Sequence, residues 1–292
     1  MSAAKAPKGT MVQAGDIELH CIERGAGDPI IMIHGGGPGA SGWSNFNRNV
    51  EAFAQKHRVL IVDLPGYGAS SKPALPPTLL GFYAGSIRAM MDTLKIERAH
   101  LVGNSLGGMT SLKFALEYPD RLDHLVLMGA GAFAPFSPMP TEGLKHLLAY
   151  YAGEGPTSQK LEAFVRAMVW DQSEITPQLI AERYQASIDP EVMASPAMGK
   201  GVLPRFEPIW RDDLSVISAR TLLIWGRDDR VVPLDSSFLL LKQIRDCQLH
   251  VFAQCGHWAQ WEKAPAFNRL VLDFLASGSR ASPASAASGG AA

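Results

Sequence analysis

The stretch "GNSLGG", from Gly103 to Gly108, is the part of this sequence that most constrains its fold. It follows the apolar segment "HLV" and precedes "MTSLKFALEYP", so a strand runs into a helix through three glycines in six residues. The pattern matches G-x-S-x-G, in which the serine takes a positive φ and the glycines avoid side-chain collisions. The alternative is a serine that only caps a glycine-rich helix. Strand, spacing and helix together favour a nucleophile at Ser105, with its hydroxyl at a helix N-terminus.

Short apolar segments alternate with helical patterns along most of the chain. The predicted strands are "IELHCIER", "PIIMIH", "HRVLIVDLP", "AHLVG", "LDHLVLMG", "RTLLIWG" and "CQLHVFA". The predicted helices that accompany them are "GFYAGSIRAMMDTL", "MTSLKFALEYP", "SSFLLLKQI" and "APAFNRLVLDFLAS". Buried strands that alternate with helices indicate an α/β fold, in which helices cover both faces of a mostly parallel sheet.

This alternation breaks between about residues 134 and 212, where the sequence predicts helices without strands. In "SQKLEAFVRAMVW", Ser158 is the predicted N-cap, and one helix face carries Leu161, Phe164, Val165, Met168 and Val169. In "TPQLIAERYQAS", Thr176 is the predicted N-cap, with Pro177 at the first helical position. We interpret this region as an insertion over the carboxyl edge of the sheet, where α/β proteins bind ligands.

The domain organisation follows from this break and from the composition of the C-terminus. The segment "SGSRASPASAASGGAA" is rich in Ser, Ala and Gly and cannot bury enough apolar surface to offset the entropy of ordering. We therefore expect a core of residues 9–134 and 212–276, a helical lid of residues 135–211, and a disordered tail of residues 277–292.

Charge and hydropathy exclude several classes of function. The net charge is −1, from 27 basic and 28 acidic residues, and no basic run suggests a nucleic-acid surface. No apolar run approaches the ~18 residues of a membrane span, and the N-terminus lacks the apolar core of a signal peptide. Three cysteines without metal-ligand spacing fit a reducing compartment. We expect a cytoplasmic protein with neither a membrane nor a nucleic-acid partner, and with no metal or cofactor.

A serine hydroxyl needs a base, and the base needs a carboxylate that fixes its tautomer. His257 lies in the loop after the last predicted strand, which favours it over the seven other histidines. The loop "GRDDRVVP" offers Asp228 and Asp229, and the residues alone do not choose between them. Either one gives the chain order Ser, Asp, His. Asp63 also ends a strand but precedes Ser105, so we assign it a role in stabilising a turn.

The loop "HGGGPG" after an early strand is suited to holding an oxyanion. Its glycines let backbone N–H groups approach a developing negative charge, and the predicted donors are the amides of Gly36 and Leu106. A phosphate-binding loop would need Lys-Ser/Thr after the glycines, which this sequence lacks.

Arg183 is unusual because helical spacing places it on the apolar face that carries Leu179 and Ile180. A guanidinium there needs an anion, or its side chain must extend to water. A planar guanidinium suits a carboxylate, which it can bind through two parallel hydrogen bonds. The sequence leaves both interpretations of Arg183 open.

The sequence resembles the α/β-hydrolases over roughly residues 9–276. More narrowly, it is similar to the meta-cleavage-product hydrolases of aromatic degradation. The stretches that carry the resemblance are "HGGGPGASGWSNFNRN", "GNSLGGMT", "WGRDDRVVPLD", "QLHVF" and "CGHWAQWEKAPAFNRLV". The resemblance implies hydrolysis of the C5–C6 bond of 2-hydroxy-6-oxo-hexa-2,4-dienoates, giving 2-hydroxypenta-2,4-dienoate and a carboxylic acid. It also implies a homo-oligomer, since members are often dimeric or larger.

The same resemblance implies roles for individual residues. It favours Asp229 over Asp228 as the partner of His257, and it implies that Arg183 binds the C1 carboxylate of the dienoate. The remaining predicted substrate-binding residues are Asn104, Trp258, Asn45 and Gly37. The C6 substituent is left open, and the predicted residues around it are Phe133, Phe136, Met139, Leu147, Met168 and Trp170.

One question of mechanism and two other functions stay open at this point. Ser105 either attacks the C6 ketone to form an acyl-enzyme or only positions a water molecule that adds to give a gem-diol. A carboxylesterase would use the same triad but gives no reason for Arg183. A ligand-binding protein on this fold would be expected to have lost part of the triad.

Overall fold

The structure is a computed structural model that describes residues 6–131, 136–201 and 206–277. Phe133 and the predicted tail beyond Ser277 lie outside these ranges. The described strands are β1 (Thr10–Ala14), β2 (Ile17–Arg24), β3 (Pro29–Ile33), β4 (Arg58–Val62), β5 (Ala99–Asn104), β6 (Leu122–Met128), β7 (Arg220–Gly226) and β8 (Cys247–Phe252). The helices are α1 (Gly42–Phe46), α2 (Val50–Ala54), α3 (Leu79–Thr93), α4 (Leu106–Glu117), α5 (Glu142–Tyr150), α6 (Ser158–Ala167), α7 (Pro177–Ser187), α8 (Pro190–Ala194), α9 (Ser236–Gln243), α10 (Ala259–Glu262) and α11 (Ala264–Ala276).

The strands form one sheet in the order β1-β2-β4-β3-β5-β6-β7-β8. The pairs β1/β2 and β2/β4 are antiparallel, and the pairs from β4 through β8 are parallel. The predicted α/β-hydrolase fold with a mostly parallel sheet is therefore confirmed. The sequence prediction missed β1, an edge strand in which only Val12 and Ala14 are buried. Pairing with β2 holds it, which a local pattern of five residues does not reveal.

Helices cover both faces of the sheet, as the alternation predicts. Consecutive side chains of a strand point to opposite faces, so Leu101 of β5 packs in the core under α3 and α4, and Val102 packs in the core under α1, α2 and α11. Both residues are fully buried. The central strands therefore read as continuous apolar runs, which is typical of a parallel sheet buried on two sides.

Helices α5 to α8 lie between β6 and β7 and have a hydrophobic cluster of their own. The predicted apolar face of α6 is buried, with Leu161, Phe164, Val165, Met168 and Val169 all at or below 5% exposure. This cluster continues onto the sheet domain through Val231 and Trp258. None of the helices in the described ranges combines the length and hydropathy needed to cross a bilayer.

The caps of these helices agree in part with the sequence prediction. Thr176 caps α7 by accepting a hydrogen bond from Leu179 N at 3.2 Å, and Pro177 occupies the first turn, as predicted. The prediction of Ser158 as the N-cap of α6 is wrong. Thr157 has the extended backbone of an N-cap, and its hydroxyl accepts a hydrogen bond from Lys160 N at 3.1 Å. The N-cap therefore lies one residue before the predicted position, and Ser158 is the first residue of the helix.

Asp63 stabilises the turn after β4, as predicted. Its carboxylate accepts hydrogen bonds from the backbone amides of Gly42 (2.7 Å) and Ala69 (2.9 Å) and lies 2.9 Å from His20 Nδ1. Burial alone would raise the pKa of Asp63, but the His20 contact and the two amides outweigh it and hold the pKa below its ordinary value. The carboxylate therefore stays charged as a structural anchor.

Three histidines come together near the start of the parallel strands. His100 Nδ1 lies 3.2 Å from His124 Nδ1, and the ring of His57 lies 6.0 Å from that of His100. Burial and the neighbouring His124 lower the pKa of His100 to about 4. The folded chain therefore binds a proton at His100 less readily than the unfolded chain does. As a consequence, the free energy of unfolding falls as the pH drops from the unfolded pKa of His toward about 4.

We expect the free energy of unfolding to drop by about 2–3 kcal/mol between about pH 7 and about pH 4.5 because of His100 alone. Urea unfolding across this range should show a smaller pH dependence in His100→Gln than in the native chain. His146→Gln, on α5 and away from the cluster, is the control. Equal pH dependence in all three proteins would contradict this assignment.

Candidate active site

The turn between β5 and α4 presents Ser105 at the carboxyl edge of the sheet. Ser105 has φ 53° and ψ −114°, the positive φ that the sequence predicts. A Cβ on Gly103 would collide with Gly107 O, and a Cβ on Gly107 would collide with Ile33 O. The two glycines of the motif are therefore required by close backbone approach, and the serine carries the strain between them.

His257 and Asp229 are in direct contact at the same edge. His257 Nδ1 lies 2.7 Å from Asp229 Oδ2, and both side chains are almost fully buried. The other oxygen, Asp229 Oδ1, accepts from the amides of Val231 (2.8 Å) and Val232 (2.9 Å), which fixes the carboxylate. Asp228 instead lies beside Arg227, at 3.4 Å. The geometry thus chooses Asp229, which the residues alone could not do.

His257 and Ser105 line the same cavity. Because Nδ1 contacts the carboxylate, Nε2 is the nitrogen left for a second partner, and it has none among the described residues. A buried nitrogen without a partner is uncommon and marks a position prepared for a reacting group. The arrangement can take a proton from a hydroxyl and return it, which is general base and acid chemistry.

The two predicted oxyanion donors come from different strands and lie close together. Gly36 follows β3 and Leu106 opens α4, and a Cβ on Gly36 would lie 3.0 Å from Leu106 Cδ2. Tyr67 donates a hydrogen bond to Gly36 O at 3.0 Å, which fixes the Gly36–Gly37 peptide directly after the predicted donor amide. As the first residue of α4, Leu106 has an amide without an intrahelical acceptor. Both residues line the cavity, together with Gly37.

Arg183 is buried in the cavity wall, with 6% of its surface exposed, and does not extend to water. Its Nη2 donates to Pro38 O at 2.8 Å, its Cζ lies 5.1 Å from the Trp258 ring, and its Nε has no partner among the described residues. Burial lowers the pKa of the guanidinium to about 10. The group is thus a buried cation held by one carbonyl and a ring face, and an anion in the cavity would complete it.

The other predicted substrate-binding residues do not all lie in the cavity wall. Asn45 and Trp258 line the cavity, and Asn45 Oδ1 accepts from Gly35 N at 3.3 Å. Asn104 is fully buried behind the wall, where its amide nitrogen lies 3.3 Å from Met128 O and 3.4 Å from His257 O. Asn104 therefore ties β5 to the backbone of His257, and its Oδ1 has no partner among the described residues. Its contact with a substrate carboxylate stays a prediction.

Only some of the described residues predicted around the C6 substituent line the cavity. Met139, Leu147 and Met168 line the cavity. The predictions for Phe136 and Trp170 are wrong, since their side chains are 92% and 50% exposed and absent from the described lining. Hydrophobicity alone placed them in the pocket, but both lie in connections outside the helices of the insertion.

Sequence reasoning missed two residues that join the insertion to the triad. Glu262 accepts from Gly256 N (2.7 Å) in the His257 loop and from Trp170 N (2.7 Å) and Asp171 N (3.1 Å) after α6. Arg230, next to Asp229, donates to Val169 O at 2.9 Å. No spacing rule identifies contacts across 91 or 61 positions of sequence.

The backbone of His257 is itself bonded to the insertion. Its amide donates to Met168 O at 2.7 Å, and a Cβ on the preceding Gly256 would lie 2.7 Å from the same oxygen. Gly129, at the end of β6, faces the ring from the other side. A Cβ there would lie 2.7 Å from His257 Cε1, and Gly129 has a φ of +52°.

Gly129→Ala should displace the His257 ring and slow fluorophosphonate labelling of Ser105 by at least about 100-fold, because small misplacements of catalytic groups are costly. Gly153→Ala is the matched control. Gly153 has a similar φ of +62° but nothing within 4 Å of a new Cβ, so it tests backbone strain alone. Equal labelling rates in the two variants would contradict a steric role for Gly129.

Glu262→Gln should slow the same labelling at least about tenfold, since one oxygen that accepts amide hydrogens is replaced by an NH₂ group. Circular dichroism should show a fully folded protein at the assay temperature. Glu174→Gln, which removes the ion pair with Arg48, should label at the native rate. A native rate in Glu262→Gln would show that this junction does not position His257.

Known proteins resemble this chain along most of its length. Residues 28–264 match the family model described as alpha/beta hydrolase fold. A 2-hydroxy-6-oxo-6-phenylhexa-2,4-dienoate hydrolase of Comamonas testosteroni is 44% identical over 272 residues, which cover 89% of this chain and 92% of the relative. A 2-hydroxy-6-oxononadienedioate/2-hydroxy-6-oxononatrienedioate hydrolase of the same species is 45% identical over 268 residues, which cover 90% and 93%.

A solved structure of similar shape agrees with these relatives. The meta-cleavage product hydrolase of Pseudomonas fluorescens IP01, in a serine-to-alanine mutant complexed with acetates, matches with a TM-score of 0.82 and 33% identity. The match covers 93% of this chain and 98% of that one.

Proposed function

We propose a reaction for this chain from one premise: it belongs to the α/β-hydrolase family and, within it, to the hydrolases of meta-cleavage products. The chain is a serine-dependent hydrolase that cleaves the C5–C6 bond of 2-hydroxy-6-oxo-hexa-2,4-dienoates. Water and the dienoate give 2-hydroxypenta-2,4-dienoate and the carboxylate of the C6 substituent. The observation that carries this proposal is the buried guanidinium of Arg183, which has no carboxylate partner among the described residues and lines the same cavity as Ser105, because an ester hydrolase has no need of it.

The first step is ketonisation of the bound dienol. The C2 hydroxyl loses its proton and C5 gains one, with His257 as the group that moves the proton. The diketone then has a C5–C6 bond whose electron pair can pass through C3=C4 to the C2 carbonyl. Arg183 would hold the C1 carboxylate, with Trp258 and Asn45 in the same wall, and so place C6 at Ser105.

Cleavage follows by nucleophilic attack. Ser105 gives its proton to His257 and bonds to C6, and the amides of Gly36 and Leu106 stabilise the oxyanion. Collapse of this intermediate breaks C5–C6, and the electron pair of that bond moves through C3=C4 to the C2 oxygen. The dienolate takes the proton held by His257 and leaves as 2-hydroxypenta-2,4-dienoate, while the acyl group stays on Ser105. Water activated by His257 then releases the acid. Addition of water to C6 without an acyl-enzyme is the competing path, and rapid-mixing trapping of acylated Ser105 distinguishes the two.

We propose that residues 135–211 act as a lid on a core formed by residues 9–134 and 212–276. Two observations support this division. Helices α5 to α8 are inserted in the chain between β6 and β7, two strands that pair directly in the sheet, and they supply Leu147, Phe164 and Arg183 to the cavity. A cover of this kind excludes water from the oxyanion until the acid is to be released.

A panel of ring-fission dienoates, which lose their yellow colour on cleavage, tests the reaction. Arg183→Gln should lower kcat/KM for a dienoate by about 10- to 100-fold, the value of a charge-assisted hydrogen bond. It should leave hydrolysis of p-nitrophenyl acetate within about twofold. Arg166→Gln, which removes the ion pair with Glu162 on α6, is the control.

The possible outcomes separate the candidate functions. Loss of dienoate turnover with retained ester turnover supports carboxylate binding by Arg183. Equal losses of both would remove Arg183 from the binding site. Brisk ester hydrolysis without cleavage of any dienoate would indicate a carboxylesterase, and no turnover of either class would indicate a ligand-binding protein.

A further inference from the structure

The residues that line the cavity form two chemically different groups, which we call its two ends. Arg183 forms one end, where its guanidinium contacts Pro38 O and the Trp258 ring. The other end is formed by the start of α5, the loop after β7 and the start of α9. Its side chains are apolar apart from that of Ser236 and include Met139, Leu144, Leu147, Val231, Val232 and Pro233.

Hydrogen bonds between the two segments hold this apolar end together. The Thr141 hydroxyl donates to Val231 O at 2.8 Å, and Gly143 N donates to Arg230 O at 2.9 Å. A Cβ on Gly143 would approach Val231 Cα to 3.2 Å, so the backbones are in close contact. Separation of the two segments would break both of these bonds.

The charges near this end do not favour an anion. Arg230 directly precedes the lining residue Val231, but its guanidinium donates a hydrogen bond to Val169 O and lies 3.2 Å from the carboxylate of Glu142. Asp235, next to Ser236, holds its carboxylate 2.7 Å from Ser137 N. Of the described residues that line the cavity, Arg183 is the one with a permanent positive charge.

We propose that this chain selects dienoates whose C6 substituent is uncharged and apolar, an aryl or alkyl group, over dienoates that end in a second carboxylate. The inference rests on the proposed function, which assigns the first carboxylate to Arg183. A second carboxylate would be desolvated against methionine, leucine and valine side chains with no cation to pair with. A phenyl or alkyl group would gain by leaving water there. Relatives of both substrate types match this chain about equally well, so overall similarity does not decide between them.

The test compares two purified substrates, 2-hydroxy-6-oxo-6-phenylhexa-2,4-dienoate and 2-hydroxy-6-oxononadienedioate. We expect kcat/KM for the phenyl compound to exceed that for the dioate by at least about 100-fold, the cost of an unpaired buried charge. A preference for the dioate, or equal values, would overturn the selection while leaving C–C cleavage intact. Cleavage of neither compound, with ester hydrolysis retained, would overturn the proposed function itself.

A charge placed in the apolar wall gives a second, independent readout. Leu144 is only half-buried, so a lysine there can be accommodated with its stem along the wall. Leu144→Lys should shift the ratio of kcat/KM values toward the dioate by at least about tenfold, whereas Leu144→Met should keep the native ratio. An unchanged ratio in a folded Leu144→Lys protein would mean that the substituent does not lie at this end. If that variant does not fold, the native ratio alone decides.

Discussion

Parallel pairing from β4 through β8 is the constraint on which the site depends, because it brings the ends of distant strands to one edge. Gly36 follows β3, Ser105 follows β5, Asp229 follows β7 and His257 follows β8. No two of these residues are adjacent in sequence, yet each lies within one loop of a fixed hydrogen-bonded ladder. The catalytic geometry is thus a property of strand register, and the loops need only small backbone adjustments to complete it.

The burial of the positively charged Arg183 side chain is a second constraint on the structure. Its charge is removed from water but is offered only the Pro38 carbonyl and the Trp258 ring among the described residues. A buried charge costs stability unless an opposite charge pairs with it, and in the proposed function the C1 carboxylate of the dienoate would offset that cost. One end of the cavity carries the charge of Arg183, and the other end differs from it by its apolar side chains rather than by a second charged group. An asymmetric cavity orients a molecule that carries one carboxylate.

Much of this could be predicted from the sequence, where a local pattern had a single physical meaning. The elbow at Ser105 needed glycines, the Thr176 cap preceded a proline, and His257 followed the last strand. The choice of Asp229 needed the resemblance or the structure, since both aspartates end the same loop. Glu262 and Gly129 could not be found, because they act on atoms far away in sequence and look like ordinary surface and loop residues. Phe136 and Trp170 failed for the opposite reason: an apolar side chain does not reveal whether its backbone turns inward.

The bond from the His257 amide to Met168 O makes the insertion and the triad parts of one cooperative unit. Glu262 and Arg230 bond the same end of α6 to the loops that carry His257 and Asp229. This amide hydrogen is therefore protected from exchange with solvent as long as α6 stays in place. The exchange rate of the His257 amide therefore reports how often the insertion separates from the loop that carries His257.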